Sequence, residues 1–136
     1  MILLDDTTSK IQVDLDAAVT TNQLHCYASY TDLNQTTAAW SSALSSSTNT
    51  NDTTEVDLVA APASGVTRKI QFLSVWNYDT VAADVTVRIN ENGTNKGLVK
   101  MTLQPNETLQ YTDGEGWRNA SEKKQQLVPV TQVLAR

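Results

Sequence analysis

The chain has 136 residues and a formal net charge of −5, with 40% hydrophobic residues, only 18% charged residues, one Cys and one His. That length fits a single domain, which buries roughly two-thirds of the surface its unfolded chain exposes. An acidic balance without a Lys/Arg cluster argues against a nucleic-acid binder. A single cysteine forms no internal disulfide, and no stretch approaches the roughly 18 apolar residues of a membrane span.

The start, Met1-Ile-Leu-Leu-Asp-Asp, lacks the basic region and long apolar run of a signal peptide. The expectation is therefore a soluble protein made in the cytoplasm, with Met1, Ile2, Leu3 and Leu4 as an extended N-terminal arm. Lys10–Asp16 alternates Ile11, Val13 and Leu15 with Gln12, Asp14 and Asp16, which predicts a strand with one wet face. Gln23–Tyr30 puts Leu24, Cys26, Ala28 and Tyr30 on one face and His25, Tyr27 and Ser29 on the other. Segment 31–53 has no strand pattern and is predicted to be a long polar loop. Within it Trp40 and Leu44 sit four apart, a spacing that suits one helical turn.

Thr54–Ala61 is rich in β-formers and stops at Pro62. Lys69–Asn77 is apolar on both faces, with Ile70, Phe72 and Trp76 on one and Leu73 and Val75 on the other. Two apolar faces predict a central strand, or one covered by a partner. Val85, Val87 and Ile89 alternate with Thr86, Arg88 and Asn90 before a Glu91–Gly97 turn and a returning Leu98–Leu103 strand. Gln104-Pro-Asn-Glu107 predicts a turn with Pro105 at its second position. Thr108–Thr112, the Asp113-Gly-Glu-Gly116 turn and Trp117-Arg118 complete the pattern. Short strands at this spacing predict an all-β fold, an antiparallel, jelly-roll-like β-sandwich over residues 1–118 with extended N- and C-terminal arms. Segment 119–136 is the C-terminal arm: polar at first and slightly basic through Lys123, Lys124 and Arg136, then apolar through Leu127, Val128, Val130, Val133 and Leu134. Pro129 argues against a central strand there.

Catalysis needs convergent groups. His25 and Cys26 are chain neighbours, and neighbours on a strand point to opposite faces, so they make no Cys–His pair. A zinc site needs three or four ligands of a kind this sequence scarcely contains. No phosphate-cradling glycine loop is present, since Gly114-Glu-Gly116 has no Lys-Ser/Thr after it. The carboxylate pairs Asp14/Asp16 and Glu55/Asp57 have the residue types of a glycoside hydrolase, yet they read as wet strand faces. A calcium site at Asp113/Glu115 lacks dense ligand spacing. The sequons at Asn34, Asn51, Asn92, Asn106 and Asn119 match the high Asn and Thr content and need no glycosylation to explain them. No catalytic residue, cofactor or metal is expected.

The stretches Val56-Asp-Leu-Val-Ala-Ala-Pro-Ala-Ser-Gly65 and Lys69-Ile-Gln-Phe-Leu-Ser-Val-Trp-Asn-Tyr-Asp-Thr80 resemble small virion proteins of tailed bacteriophages. So do Val85-Thr-Val-Arg-Ile-Asn90 and Leu98-Val-Lys-Met-Thr-Leu-Gln-Pro-Asn-Glu-Thr-Leu-Gln-Tyr-Thr-Asp-Gly-Glu-Gly-Trp117. The resemblance covers about residues 54–118, and the shorter words Leu3-Leu-Asp-Asp-Thr-Thr8 and Ala18-Val-Thr-Thr-Asn-Gln23 extend it. It implies a β-sandwich of the capsid decoration or cement type, often trimeric, on the outer surface of a phage head. Its partner would then be the major capsid protein, with no nucleic acid or membrane involved. It also implies that Trp76 and Tyr78 anchor the core, Asp79-Thr80 makes a turn, and Tyr111 and Trp117 pack across the last hairpin. Partner contacts are expected from the two arms and from Trp40 and Leu44. The alternative expectation is a receptor- or glycan-binding module of a tail or fibre, using Trp40 beside Asn and Thr hydrogen-bonders. A hydrolase built on a carboxylate pair ranks third.

Overall fold

A computed structural model describes residues 1–121. Ten strands follow one another: β1 (Ile2–Leu4), β2 (Ser9–Leu15), β3 (His25–Asn34), β4 (Leu44–Asn49), β5 (Val56–Val59), β6 (Val66–Trp76), β7 (Ala83–Glu91), β8 (Thr94–Leu103), β9 (Thr108–Thr112) and β10 (Gly116–Asn119). They form two sheets. One has the order β10-β9-β6-β3-β4, with β1 also paired to β6; the other has the order β5-β2-β7-β8. Every pairing is antiparallel. The chain is an all-β sandwich, as its period-two patterning predicts.

The core lies between the sheets. Ile11, Val13 and Leu15 of β2 and Val85 and Val87 of β7 meet Leu4, Cys26, Ala28, Ile70, Leu73, Val75, Leu109 and Tyr111 of the larger sheet, all buried. Each buried large aliphatic side chain contributes about 1.5–3 kcal/mol relative to an exposed one. The β2 alternation reads directly into this layer, and β6 is central, as its two apolar faces predict.

Bulges change which residues face inward. Tyr30 pairs with Ile70 while Ser29 pairs with Phe72, so Gln71 is extra on β6. An extra residue inverts the alternation beyond it. Ile70 therefore joins Leu73 and Val75 inside, and only Phe72 and Trp76 stay on the outer face with Ser74. Likewise Ile11 opposes Val59 and Gln12 opposes Asp57, leaving Leu58 extra, and both Leu58 and Val59 are buried.

Turns follow their residues. Asn92 and Gly93 both take positive φ, 50° and 85°, which is the two-residue turn that matches strand twist. It is tighter than the predicted Glu91–Gly97 connection, because β7 and β8 pair up to Glu91↔Thr94. In Gln104-Pro-Asn-Glu107, Asn106 has φ 69° and the Glu107 N–H donates to the Gln104 carbonyl at 3.0 Å. That geometry suits Pro at the second position and Asn at the third.

Several expectations are corrected. Segment 31–53 is not one long loop: β3 runs on to Asn34, and Leu44–Asn49 is a strand paired with His25–Tyr30. Its Ser/Thr/Asn sequence hides it, because an edge strand with a solvated face needs no apolar alternation. No helical turn joins Trp40 and Leu44; Trp40 bridges Leu33 and Leu44 begins β4. The N-terminal arm is instead a strand of this chain's own sheet, Ile2 opposite Ile70 and Leu4 opposite Arg68, with Ile2 and Leu4 buried. Tyr78 does not anchor the core but is exposed, and Trp76 is half-buried on the outer face. The last strand reaches Asn119, and the Ala120 N–H donates to the Thr108 carbonyl at 2.8 Å, so the body extends past residue 118.

Candidate interaction surfaces

The reactive side chains are dispersed. His25 is exposed on β3 and Cys26 is buried, on opposite faces as strand alternation requires. Burial pushes the Cys26 thiol up to about 12. The carboxylates of the smaller sheet are held in a polar network on its outer face. Asp14 pairs with Arg88, whose guanidinium also reaches Glu55 at 3.4 Å. Asp57 takes Lys10 at 3.1 Å and the Gln12 amide at 2.6 Å, and Asp16 pairs with Lys100. Asp113 pairs with Lys69 at 3.2 Å. Among the described residues no group of three or more His, Cys, Asp or Glu is placed to hold a metal ion. Among them, too, no helix is long and apolar enough to cross a membrane.

Two buried polar residues organise the loop between β2 and β3. The Asp79 carboxylate accepts the N–H groups of Thr20 and Thr21 at 2.8 Å and of Asn22 at 3.1 Å. These bonds, that from Thr20 foremost, hold its pKa down to about 2 against the cost of burial. Asn77 donates to the carbonyls of Val81 and Leu103 at 2.9 Å and accepts the Asp79 N–H at 2.9 Å. Asp52 adds a second tie, accepting the Val19 N–H at 3.0 Å and the Gln23 amide at 2.8 Å, and the Val19 bond lowers its pKa. Residues 77 and 79 are thus fixed, and Tyr78 between them is held outward, 46% exposed.

Tyr78 completes an aromatic cluster on the outer face of the larger sheet. Its ring lies 5.0 Å from His25 and 5.0 Å from Trp76, and His25 lies 5.4 Å from Trp76. Tyr27 and Phe72 continue it at 6.2 Å. Across β3, His25 stands between Asn49 and Trp76, and Tyr27 between Ser47 and Ser74. A concavity of about 590 Å³ is lined by His25, Tyr27, Ser47, Asn49, Ser74 and Trp76, with Tyr78 beside it against His25 and Trp76.

The chain matches no family model, no curated protein and no solved structure.

The expected partner residues fall into three groups. Met1 and Leu3 are exposed, whereas Ile2 and Leu4 belong to the core and are unavailable to a neighbour. Trp40 and Leu44, 51% and 41% exposed, both lie toward the far end of β3, opposite Leu33 and Tyr30 respectively, and the odd spacing of those two partners puts the side chains on opposite faces of the sheet. Leu127, Val128, Val130, Val133 and Leu134 lie outside the described residues. The His25–Trp76–Tyr78 cluster is absent from that expectation. Its signal was present in the alternation of β3, which puts His25 and Tyr27 on the wet face where ordinary polar residues would serve.

Proposed function

We propose that this chain is a structural component of a tailed-phage particle, a decoration protein that binds across capsomers on the outer surface of the head. The resemblance over residues 54–118 supports this reading, since its recurring words supply the sandwich's structural joints. Asn77 and Asp79 form the loop clamp, Pro105-Asn106 forms a turn, and Tyr111 packs on Trp117 at 4.9 Å. Such a protein works by area and shape, adding contacts across boundaries without chemistry.

The observation that carries the reading is the uncharged edge strand β4, which Leu44 begins and which follows the segment carrying Trp40. Edge strands are usually protected by charge or proline. At the edges of the smaller sheet, β8 carries Lys96 and Lys100 and β5 carries Asp57. Strand β4, Leu-Ser-Ser-Ser-Thr-Asn, has neither charge nor proline; the exposed Leu44 begins it, and the exposed Trp40 lies on the segment leading into it. The Ser46 hydroxyl ties it to the Leu58 carbonyl at 2.6 Å, so the edge is held in place. This edge suits a neighbouring subunit, either another copy around a threefold axis or the capsid protein.

Co-sedimentation of the full chain with assembled heads of its own phage tests the reading. Binding that is weakened in the Trp40→Ser/Leu44→Ser double variant is the expected result. A chain left in the supernatant at saturating head concentration would overturn it. Light scattering across a dilution series tests the trimer separately. Deleting residues 122–136 tests the part assigned to the C-terminal arm.

A further inference from the structure

We propose that the outer face of β3, β4 and β6 is a binding site for a neutral saccharide, with Trp76, Tyr78 and Tyr27 as stacking surfaces and Ser47, Asn49 and Ser74 as hydrogen-bonding groups. The site is independent of the head-decoration reading. It lies at the other end of β3 from Trp40 and Leu44, because His25 pairs with Asn49 while Tyr30 pairs with Leu44.

Aromatic and neutral polar groups alternate here by register. Asn49, His25 and Trp76 form one row across the sheet, and Ser47, Tyr27 and Ser74 form the next. A pyranose has the matching surface: an apolar face of C–H groups and a rim of hydroxyls that both donate and accept. Tyrosine offers large rigid contact area at low entropic cost, and Ser and Asn offer adaptable hydrogen bonds. Among the described residues the side chains of Ser47, Asn49 and Ser74 make no hydrogen bond within the chain. They line the concavity with polar capacity still available.

The same features argue against other occupants. No Lys, Arg, Asp or Glu lines the concavity, so it offers a charged ligand no ammonium, guanidinium or carboxylate partner. A single-stranded nucleic acid needs a positive groove beside its stacking rings, and none is present among these residues. A second copy docked on this face would bury the Ser and Asn side chains, each at a cost unless the copy supplied a partner. A sugar supplies partners for all of them.

The face is also preorganised. Tyr78 is fixed through Asn77 and Asp79, and Trp76 sits in the central strand of its sheet. Little ordering is left for a ligand to impose.

The test uses the full chain and nuclear magnetic resonance titration with neutral oligomers of glucose, galactose, mannose and N-acetylglucosamine, each taken to about 10 mM, the weak end of specific affinity. At least one probe is expected to shift the Trp76 indole N–H and the Tyr27 and Ser47 amides saturably. Trp76→Ala and Tyr78→Ala are each expected to weaken that binding about tenfold or more. Ser47→Ala/Asn49→Ala, which touches no core residue, is expected to weaken it with the melting temperature unchanged. Trp40→Ala is expected to leave it intact. The proposal is overturned if no probe gives a saturable shift, if binding survives in Ser47→Ala/Asn49→Ala and in Trp76→Ala, or if the shifts follow protein concentration alone, which would make the face a self-association surface.

Discussion

The carboxylate of Asp79 receives the backbone N–H of Thr20 at 2.8 Å across 59 positions of sequence. Together with Thr21 and Asn22 it turns three backbone donors of the β2–β3 connection toward one buried acid. The folded-state pKa falls from the ordinary 3.8 to about 2. The folded state therefore holds the proton less tightly than the unfolded chain does. The stabilisation is complete above the ordinary pKa and is lost as pH falls from about 4 to about 2. Unfolding in urea, followed from about pH 6 to about pH 2.5, is expected to show a falling midpoint across that window. Asp79→Asn is expected to lower the midpoint at neutral pH and flatten the acid limb. A slope remains, because Asp6 is also held to about 2 by its bonds from Thr8 and Ser9. An unchanged acid limb in Asp79→Asn would remove the clamp from the stability of this loop.

Leu73 tests the central strand. It lies inside, opposite Ala28 on β3 and Tyr111 on β9, and is fully buried. Leu73→Ala is expected to cost about 2–5 kcal/mol, the usual range for a truncation that leaves a core cavity. Phe72→Ala, one position away on the outer face, is expected to cost clearly less. Comparable losses at the two positions would contradict the placement of Leu73 in the core and Phe72 on the outer face.

Arg68 closes one end of the sandwich. Its guanidinium makes a two-pronged contact with Asp32, at 2.8 and 3.0 Å, donates to the Ala60 carbonyl at 2.8 Å and stacks 4.3 Å over the Tyr30 ring. The Asp32 hydrogen bonds raise its pKa. Arg68→Ala is expected to destabilise by about 1–3 kcal/mol, through lost charge-assisted bonds and lost packing together. Arg68→Lys keeps the charge but not the fork, and is expected to recover only part of that loss. Full recovery by Lys would mean that charge alone matters at this end.

The sequence was legible wherever apolar residues alternate in register. Ile11, Val13, Leu15, Val85 and Val87 are assigned to the core by period two, and the structure buries them all. It was opaque where alternation is broken or unnecessary. Gln71 looks like an ordinary strand residue, and only cross-strand pairing makes it a bulge and moves Ile70 inward. Strand β4 is held by its backbone bonds to β3 and carries almost no apolar signal. The N-terminal residues read as an arm because three residues are too short to show a period, yet pairing with Ile70 and Arg68 buries Ile2 and Leu4. For the outer aromatic cluster the alternation of β3 puts His25 and Tyr27 on one face, but only the pairing of β3 with β6 brings His25 to Trp76 and Tyr78.

Cys26 reports on opening of the larger sheet. Its side chain faces the core beside Leu24, with the sulfur 4.0 Å from the Leu24 carbonyl, and burial raises its thiol to about 12. A thiolate is the reacting species, so a thiol that is both covered and un-ionised reacts only after local or global opening. Labelling by an aromatic disulfide reagent at neutral pH is expected to be slow in the folded chain and fast in denaturant. Its folded-state rate reports the population of the open form where reclosing outpaces labelling. Asp79→Asn is therefore expected to speed labelling, because the clamped connection leads into β3 immediately before Cys26. Tyr78→Ala, which leaves the Asn77 and Asp79 bonds in place, is expected not to. Equal acceleration in both variants would show that the aromatic cluster, and not the clamp, keeps this end of the sheet closed.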